Sequence, residues 1–277
     1  MDQWSNLEVE IIIADYFSML TDELTGKSIN KTVQRNSIKP LLNNRSDGSI
    51  EFKHQNISAV LIKLGLPFIK GYKPKWNYQQ ILKERIISFL SNQKTNIEPI
   101  FIQFEDSLTI SQQVVNFNVI IENPPERNWL FSDTEIKYEK KPIKINYLER
   151  EQVNSTLGLL GEKLMVEYEK WRLFNLGKYS LADKIEWISQ VDDNAGFDIL
   201  SKNENGSDRY IEVKTTKLSK DTPIFFSKND FFFAQRKSTD FHLYRVFNFT
   251  KSPKLFLLNG SYDDFCVKEA IQYKGYF

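Results

Sequence analysis

The chain has 277 residues, 41% hydrophobic and 14% aromatic, enough for two domains or one large one with a real core. Its formal net charge is +1, with one cysteine, Cys266, and two histidines, His54 and His242. These values exclude an internal disulfide framework and a Cys/His zinc cage, and they disfavour histidine-metal and Ser-His-Asp chemistry. No apolar run is long enough to span a bilayer, and Met1-Asp2-Gln3-Trp4-Ser5 lacks the basic start and apolar stretch of a signal peptide. The expectation is a cytoplasmic protein without membrane association.

Residues 1–95 read as a mainly helical domain. Trp4-Ser5-Asn6-Leu7-Glu8 supplies an N-cap with Glu three positions on, ahead of Ile11, Ile12, Ala14, Tyr16, Phe17 and Leu20 at roughly helical spacing. A second helix is expected over Lys31–Leu42. A third runs from Ser49 to the stop at Gly65-Leu66-Pro67, and a fourth from Asn77 to Leu90. Between the last two lies a basic aromatic loop or short strand, Phe68 to Lys75.

Charge is unevenly spread. Between Gly26 and Ile86, twelve Lys and Arg face three acids, about +9, which leaves the rest of the chain near −8. A basic module on an acidic chain points to a polyanionic partner. Lys31, Arg35 and Lys39 recur at i, i+4, i+8 and form one predicted stripe, and Lys53, Lys70, Lys73 and Lys75 add to it. His54, Gln55 and Asn56 are further donors, and Tyr72, Trp76 and Tyr78 interleave with the lysines. The expected partner is double-stranded DNA, with a helix in a groove and the loop on the backbone.

Residues 96–150 read as a linker with partial β structure. Its strand-like runs are Ile100–Phe104 and Val114–Ile121, followed by Pro124-Pro125 and a charged stretch from Glu135 to Lys144. Residues 151–277 read as an α/β (α+β) domain. A helix over Asn154–Phe174 carries Leu157, Leu160, Leu164, Val166, Trp171 and Leu173 as core candidates. Strand candidates are Ile185–Ser189, a hairpin over 196–216, His242–Phe249 and Lys254–Leu258, with a helix near Lys228–Lys237 before the last two.

The hairpin carries the candidate site. Alternation along Arg209–Thr216 puts Glu212 and Lys214 on one face and Ile211 and Val213 on the other. The turn at 203–208 brings Asp198, set between Phe197 and Ile199, toward that polar face. Two carboxylates and an amine suit divalent-metal hydrolysis of a phosphodiester, the carboxylates holding Mg²⁺ and the lysine orienting or deprotonating water. Glu-x-Lys alone says little, since Glu51-Phe52-Lys53, Glu135-Ile136-Lys137 and Glu139-Lys140-Lys141 share it.

Four blocks in this region resemble the C-terminal domain family of the NO VEIN protein, within the PD-(D/E)XK nuclease superfamily. They are Leu157–Glu162 with Tyr168-Glu169 and Arg172-Leu173; Gly196-Phe197-Asp198-Ile199; Ile211–Thr216; and Ser227-Lys228-Asn229 with Ala234 and Tyr244-Arg245-Val246. The resemblance covers roughly 150–260. It implies a restriction-endonuclease-like mixed sheet flanked by helices, with Asp198 and Glu212 as metal ligands and Lys214 as the catalytic cation. It also implies Glu162 as a helix-borne acid reaching the metal, the Val213 carbonyl as a further ligand, and Gln235 as a polar supporting residue. The segment 192–196 departs from the more glycine-rich loop of relatives. The N-terminal region resembles uncharacterised domains that accompany such nucleases in bacteria.

The resulting expectation is a Mg²⁺-dependent endodeoxyribonuclease, with Mn²⁺ as a substitute, in restriction or anti-phage defence. Duplex cleavage needs two scissions, so a homodimer is expected, with defence-system partner proteins as further company. The alternatives are a non-catalytic DNA-binding or regulatory module that keeps the fold, and an RNA or repair nuclease.

Overall fold

The structure, a computed structural model, describes residues 4–108, 115–126, 142–192 and 194–272. They fall into two compact units: 4–108 with 142–151 and 221–223, and 115–126 with 152–220 and 224–272.

The first unit is helical. Helix α1 (Asn6–Leu24) opens on the expected capping box, in which Ser5 Oγ accepts from the Glu8 N–H and the Ser5 N–H donates to Glu8. Glu8 also takes a two-pronged bond from Arg45, at 2.7 and 2.9 Å. Helix α2 (Lys31–Ile38) is shorter than expected, because Pro40 turns the chain into a 3₁₀ turn over Lys39–Leu41. Helices α3 (Asp47–Lys63) and α4 (Gln80–Asn92) follow. Val9, Ile12, Ile13 and Tyr16 of α1, Ile57 and Leu61 of α3, and Leu82 and Ile86 of α4 are buried.

Helix α5 (Lys94–Asp106) corrects the reading of Ile100–Phe104 as a strand. Pro99 lies inside it and removes one backbone donor. Ile97, Phe101 and Glu105 nevertheless recur every four residues as its buried side, and Phe101 packs edge-on against Tyr147 at 5.3 Å. Burial of that stripe outweighs local propensity. Tyr147 opens a short helix, α6 (Tyr147–Gln152). Glu51-Phe52-Lys53 lies in α3, so it is no strand motif. Val114 and the stretch from Glu135 to Lys141 lie outside the described residues, and 115–121 contributes only a bridge from Ile121 to Leu255.

The second unit is a five-stranded mixed sheet, ordered β1 (Glu186–Trp187), β2 (Ile199–Lys202), β3 (Asp208–Thr215), β4 (Phe241–Phe247) and β5 (Lys254–Asn259). All neighbours are antiparallel except β3 and β4, which the crossover through helix α9 (Lys228–Arg236) makes parallel. Helix α7 (Ser155–Asn175) packs on the face of Ile211, Val213 and Thr215. Its buried stripe is Leu157, Gly161, Met165, Tyr168, Glu169 and Leu173, while Leu160, Leu164, Val166 and Trp171 are only half-buried. The opposite face carries Tyr210, Glu212 and Lys214, and Phe233 of α9 meets Tyr210 there at 5.2 Å. Short helices α8 (Tyr179–Ala182) and α10 (Tyr262–Phe265) complete the unit. Among the described residues no helix is long and apolar enough to cross a membrane.

Candidate active site

The hairpin forms as expected, around a turn that uses Gly206 at φ +88°. Asp198 sits one residue before β2 rather than in mid-strand. Its carbonyl accepts from Ile188 and Ser189, and its N–H donates to the Ile211 carbonyl at 2.9 Å, so its backbone is tied to both flanking segments. Just before it, Gly196 at φ +83° passes so close to α9 that a Cβ would lie 2.8 Å from Phe233 Cβ. That close approach holds the loop against α9.

The Asp198 side chain reaches β3, where Oδ2 accepts the Val213 N–H at 2.7 Å. The N–H and C=O of one strand residue point to the same side, so the Val213 carbonyl faces the same edge. Burial, and then the charge of Glu162, push the Asp198 carboxyl up to about 7. Glu212 is buried on β3, and its burial together with Asp198 raises it well above the ordinary carboxylate range. The charge of Glu162 thus acts on Asp198, and that of Asp198 on Glu212.

Lys214 bridges two carboxylates, Glu212 at 2.6 Å and Asp230 at 3.2 Å. Its own burial works against the charged form, but Glu212, Asp230 and Asp198 outweigh it and hold the ammonium protonated. Asp230 is the third residue of α9, where it closes a capping box with Ser227. Burial raises its carboxyl, and the charge of Lys214 and the bonds from Ser227 more than reverse that.

Glu162 is half-buried on α7 and is gripped from β1 and the 3₁₀ turn behind it. The Trp187 indole N–H donates to its Oε2 at 2.6 Å, and the Ser189 hydroxyl donates to the same atom. Gln235 does not join the group: its amide donates to Asp263 at 2.9 Å on an exposed surface.

Trp187, Ser189, Asp230 and Tyr262 are the residues that sequence reasoning missed. Trp187 and Ser189 are two apart in a strand candidate, which would have placed them on one face. Asp230 read as an ordinary cap. Tyr262 is fully buried, its hydroxyl has no hydrogen-bond partner among the described residues, and burial with the charges of Glu212, Asp230 and Asp198 raises its phenol.

Among the described residues no three Asp, Glu, His or Cys side chains already form a cage for one ion. The donor set nevertheless fits a hard divalent cation. Asp198 and Glu212 are both carboxylates whose burial raises them, and the Tyr262 hydroxyl is buried without a hydrogen-bond partner among the described residues. Oxygen ligands of this kind, completed by water, suit Mg²⁺ or Mn²⁺ better than zinc.

The predicted basic residues of the first unit are largely engaged. Arg35 and Lys39 both pair with Asp47, at 3.2 and 2.6 Å. Lys31 donates to the Lys70 carbonyl and lies 4.3 Å over the Tyr72 ring. Lys53 is buried beside Trp4 and Gln79. Lys70, Lys73 and Lys75 are exposed.

Residues 161–258 match the family described as Protein NO VEIN, C-terminal. That span holds Glu162, Asp198, Glu212, Lys214 and Asp230. No curated protein and no solved structure matches the chain.

Proposed function

We propose that the second unit is a Mg²⁺-dependent endodeoxyribonuclease of the PD-(D/E)XK kind. The observation that carries this reading is the buried Glu212 with the Lys214 ammonium 2.6 Å away, beside the Asp198 carboxylate that accepts the N–H of the next strand residue, Val213, at 2.7 Å. Asp198 and Glu212, with the Val213 carbonyl, would hold the cation, and Mn²⁺ would serve in its place. The bound ion supplies Lewis-acid polarisation of the phosphodiester and of water. Lys214, pinned between carboxylates, presents positive charge toward the phosphate. Its protonated state suits it to stabilising negative charge in the transition state better than to accepting a proton. Trp187 and Ser189 fix Glu162 beside Asp198, where its charge adds to the field on the pair.

The first unit, basic in sequence, supplies DNA affinity in this reading, with Lys70, Lys73 and Lys75 as exposed contacts. The setting implied by the resemblance is restriction or anti-phage defence, on a homodimer. Incubating duplex DNA, single-stranded DNA and RNA with the protein and Mg²⁺ or Mn²⁺ tests the substrate class. Cleavage confined to RNA would replace this reading with an RNA-processing one.

A second reading is a non-catalytic nucleic-acid-binding domain. The engagement of Glu162 by Trp187 and Ser189, which both donate to its Oε2, favours it. It predicts binding that falls steeply with salt, and no cleavage with either cation.

A further inference from the structure

We infer that Asp230 is a positioning residue of this site: it gives the Lys214 ammonium a second anchor, and so leaves Glu212 able to take a divalent cation. The inference rests on the reading of Asp198 and Glu212 as the cation-holding pair.

Lys214 Nζ contacts Glu212 Oε1 at 2.6 Å and Asp230 Oδ2 at 3.2 Å. A dication on Glu212 would face that ammonium across a single carboxylate, and like charges at contact distance repel strongly in a desolvated place. The ammonium therefore needs another partner already in position. Asp230 is held without any help from Lys214. Its Oδ2 accepts the Ser227 N–H at 3.0 Å, and its Oδ1 accepts the Ser227 hydroxyl at 2.6 Å. The first turn of α9 thus fixes a second carboxylate against Lys214. With Asp230 neutral, Lys214 would rest on Glu212 alone and compete with any cation for it.

A Mn²⁺ titration read by the paramagnetic resonance of free Mn²⁺ tests this without any cleavage assay. Wild type, Asp198→Ala, Asp230→Asn, Lys214→Met and the Asp230→Asn/Lys214→Met double variant are compared at neutral pH, with thermal melts alongside. Asn keeps the size and one acceptor of the cap but turns the other oxygen into an N–H donor, so the melts check the cap separately from the charge. If the Asn protein does not fold, Asp230→Gln supplies the amide form of the usual capping-box partner. The expected result is Mn²⁺ binding by wild type, its loss in Asp198→Ala, and affinity about tenfold weaker in Asp230→Asn. In the Lys214→Met background the same change costs less than about threefold, because there is no ammonium left to redirect. Asp230→Asn matching wild type, or losing equally with and without Lys214, overturns the inference and leaves the Asp198–Glu212 pair standing. Equal Mn²⁺ affinity in wild type and Asp198→Ala removes the cation-holding pair itself, and the inference falls with it.

Discussion

Gly161 of α7 lies directly against Thr215 of β3: a methyl group at 161 would fall 1.9 Å from the Thr215 hydroxyl oxygen. The missing side chain lets the helix approach the sheet, and the next residue along that helix is Glu162. Gly161→Ala sets a helix-propensity gain of about 1 kcal/mol against overpacking, and at this distance overpacking wins. A net loss of about 1–3 kcal/mol is expected by denaturant unfolding. Thr215→Ala should relieve part of it, since Thr215 Cβ would remain 2.9 Å away. Gly158→Ala is the control on the same helix. Its nearest neighbour would be Glu162 Oε1 at 3.9 Å, so a gain of a few tenths to about 1 kcal/mol is expected.

Glu169 anchors the middle of the same helix. It is fully buried and accepts from Arg172 at 2.9 and 2.6 Å, from Ser201 at 2.6 Å and from Tyr244 at 2.6 Å. Glu169→Gln leaves Arg172 without its counter-charge and turns an amide donor toward other donors. A loss of about 3–5 kcal/mol is expected, as for other broken buried pairs. A melt unchanged from wild type would show that the network adds nothing to stability.

In the first unit, Glu8 gives a pH signature. The bond from Arg45 is the chief cause that lowers its carboxyl from 4.5 to about 2. A carboxylate depressed in the folded state stabilises at pH values above its unfolded pKa, and that contribution is lost as pH falls through the folded value. Its contribution is therefore full above about pH 4.5 and disappears toward pH 2. Glu8→Gln should lower the melting temperature at pH 7 and narrow its gap to wild type as the pH approaches 2. A gap that stays constant across that range would contradict the assignment.

The exposed Lys75 and the paired Lys39 make opposite predictions for DNA. Lys75→Ala should weaken duplex binding and reduce the salt slope by about 1. Lys39→Ala should change the slope little, because Lys39 already faces Asp47 at 2.6 Å. Equal slopes for the two variants would place the DNA elsewhere.

Much of this fold was legible from local chemistry. The Ser5–Glu8 box, the stop at Gly65 and the alternation of Ile211-Glu212-Val213-Lys214 each depend on neighbours within a few residues, and each is found in place. Helix α5 was not legible, because Pro99 and the run Ile100-Phe101-Ile102 look like a strand until Tyr147 arrives from far along the chain. The basic stripe of α2 was misleading for the same reason, since Asp47 of the next helix pairs two of its members. In the site, Asp198, Glu212 and Lys214 came from one hairpin and were readable. Trp187, Ser189 and Asp230 act only through contacts across elements, which no local pattern shows.

The central claim is that Asp198 and Glu212 hold the cation that cleaves DNA. Its most direct test is supercoiled plasmid, unmodified and cytosine-modified, incubated with Mg²⁺ or Mn²⁺ and either wild type or Asp198→Ala. The account predicts nicking or linearisation by wild type that EDTA stops, and a loss of at least about 100-fold in Asp198→Ala. Equal cleavage by the two proteins, or none by wild type on either plasmid with either cation, would contradict it.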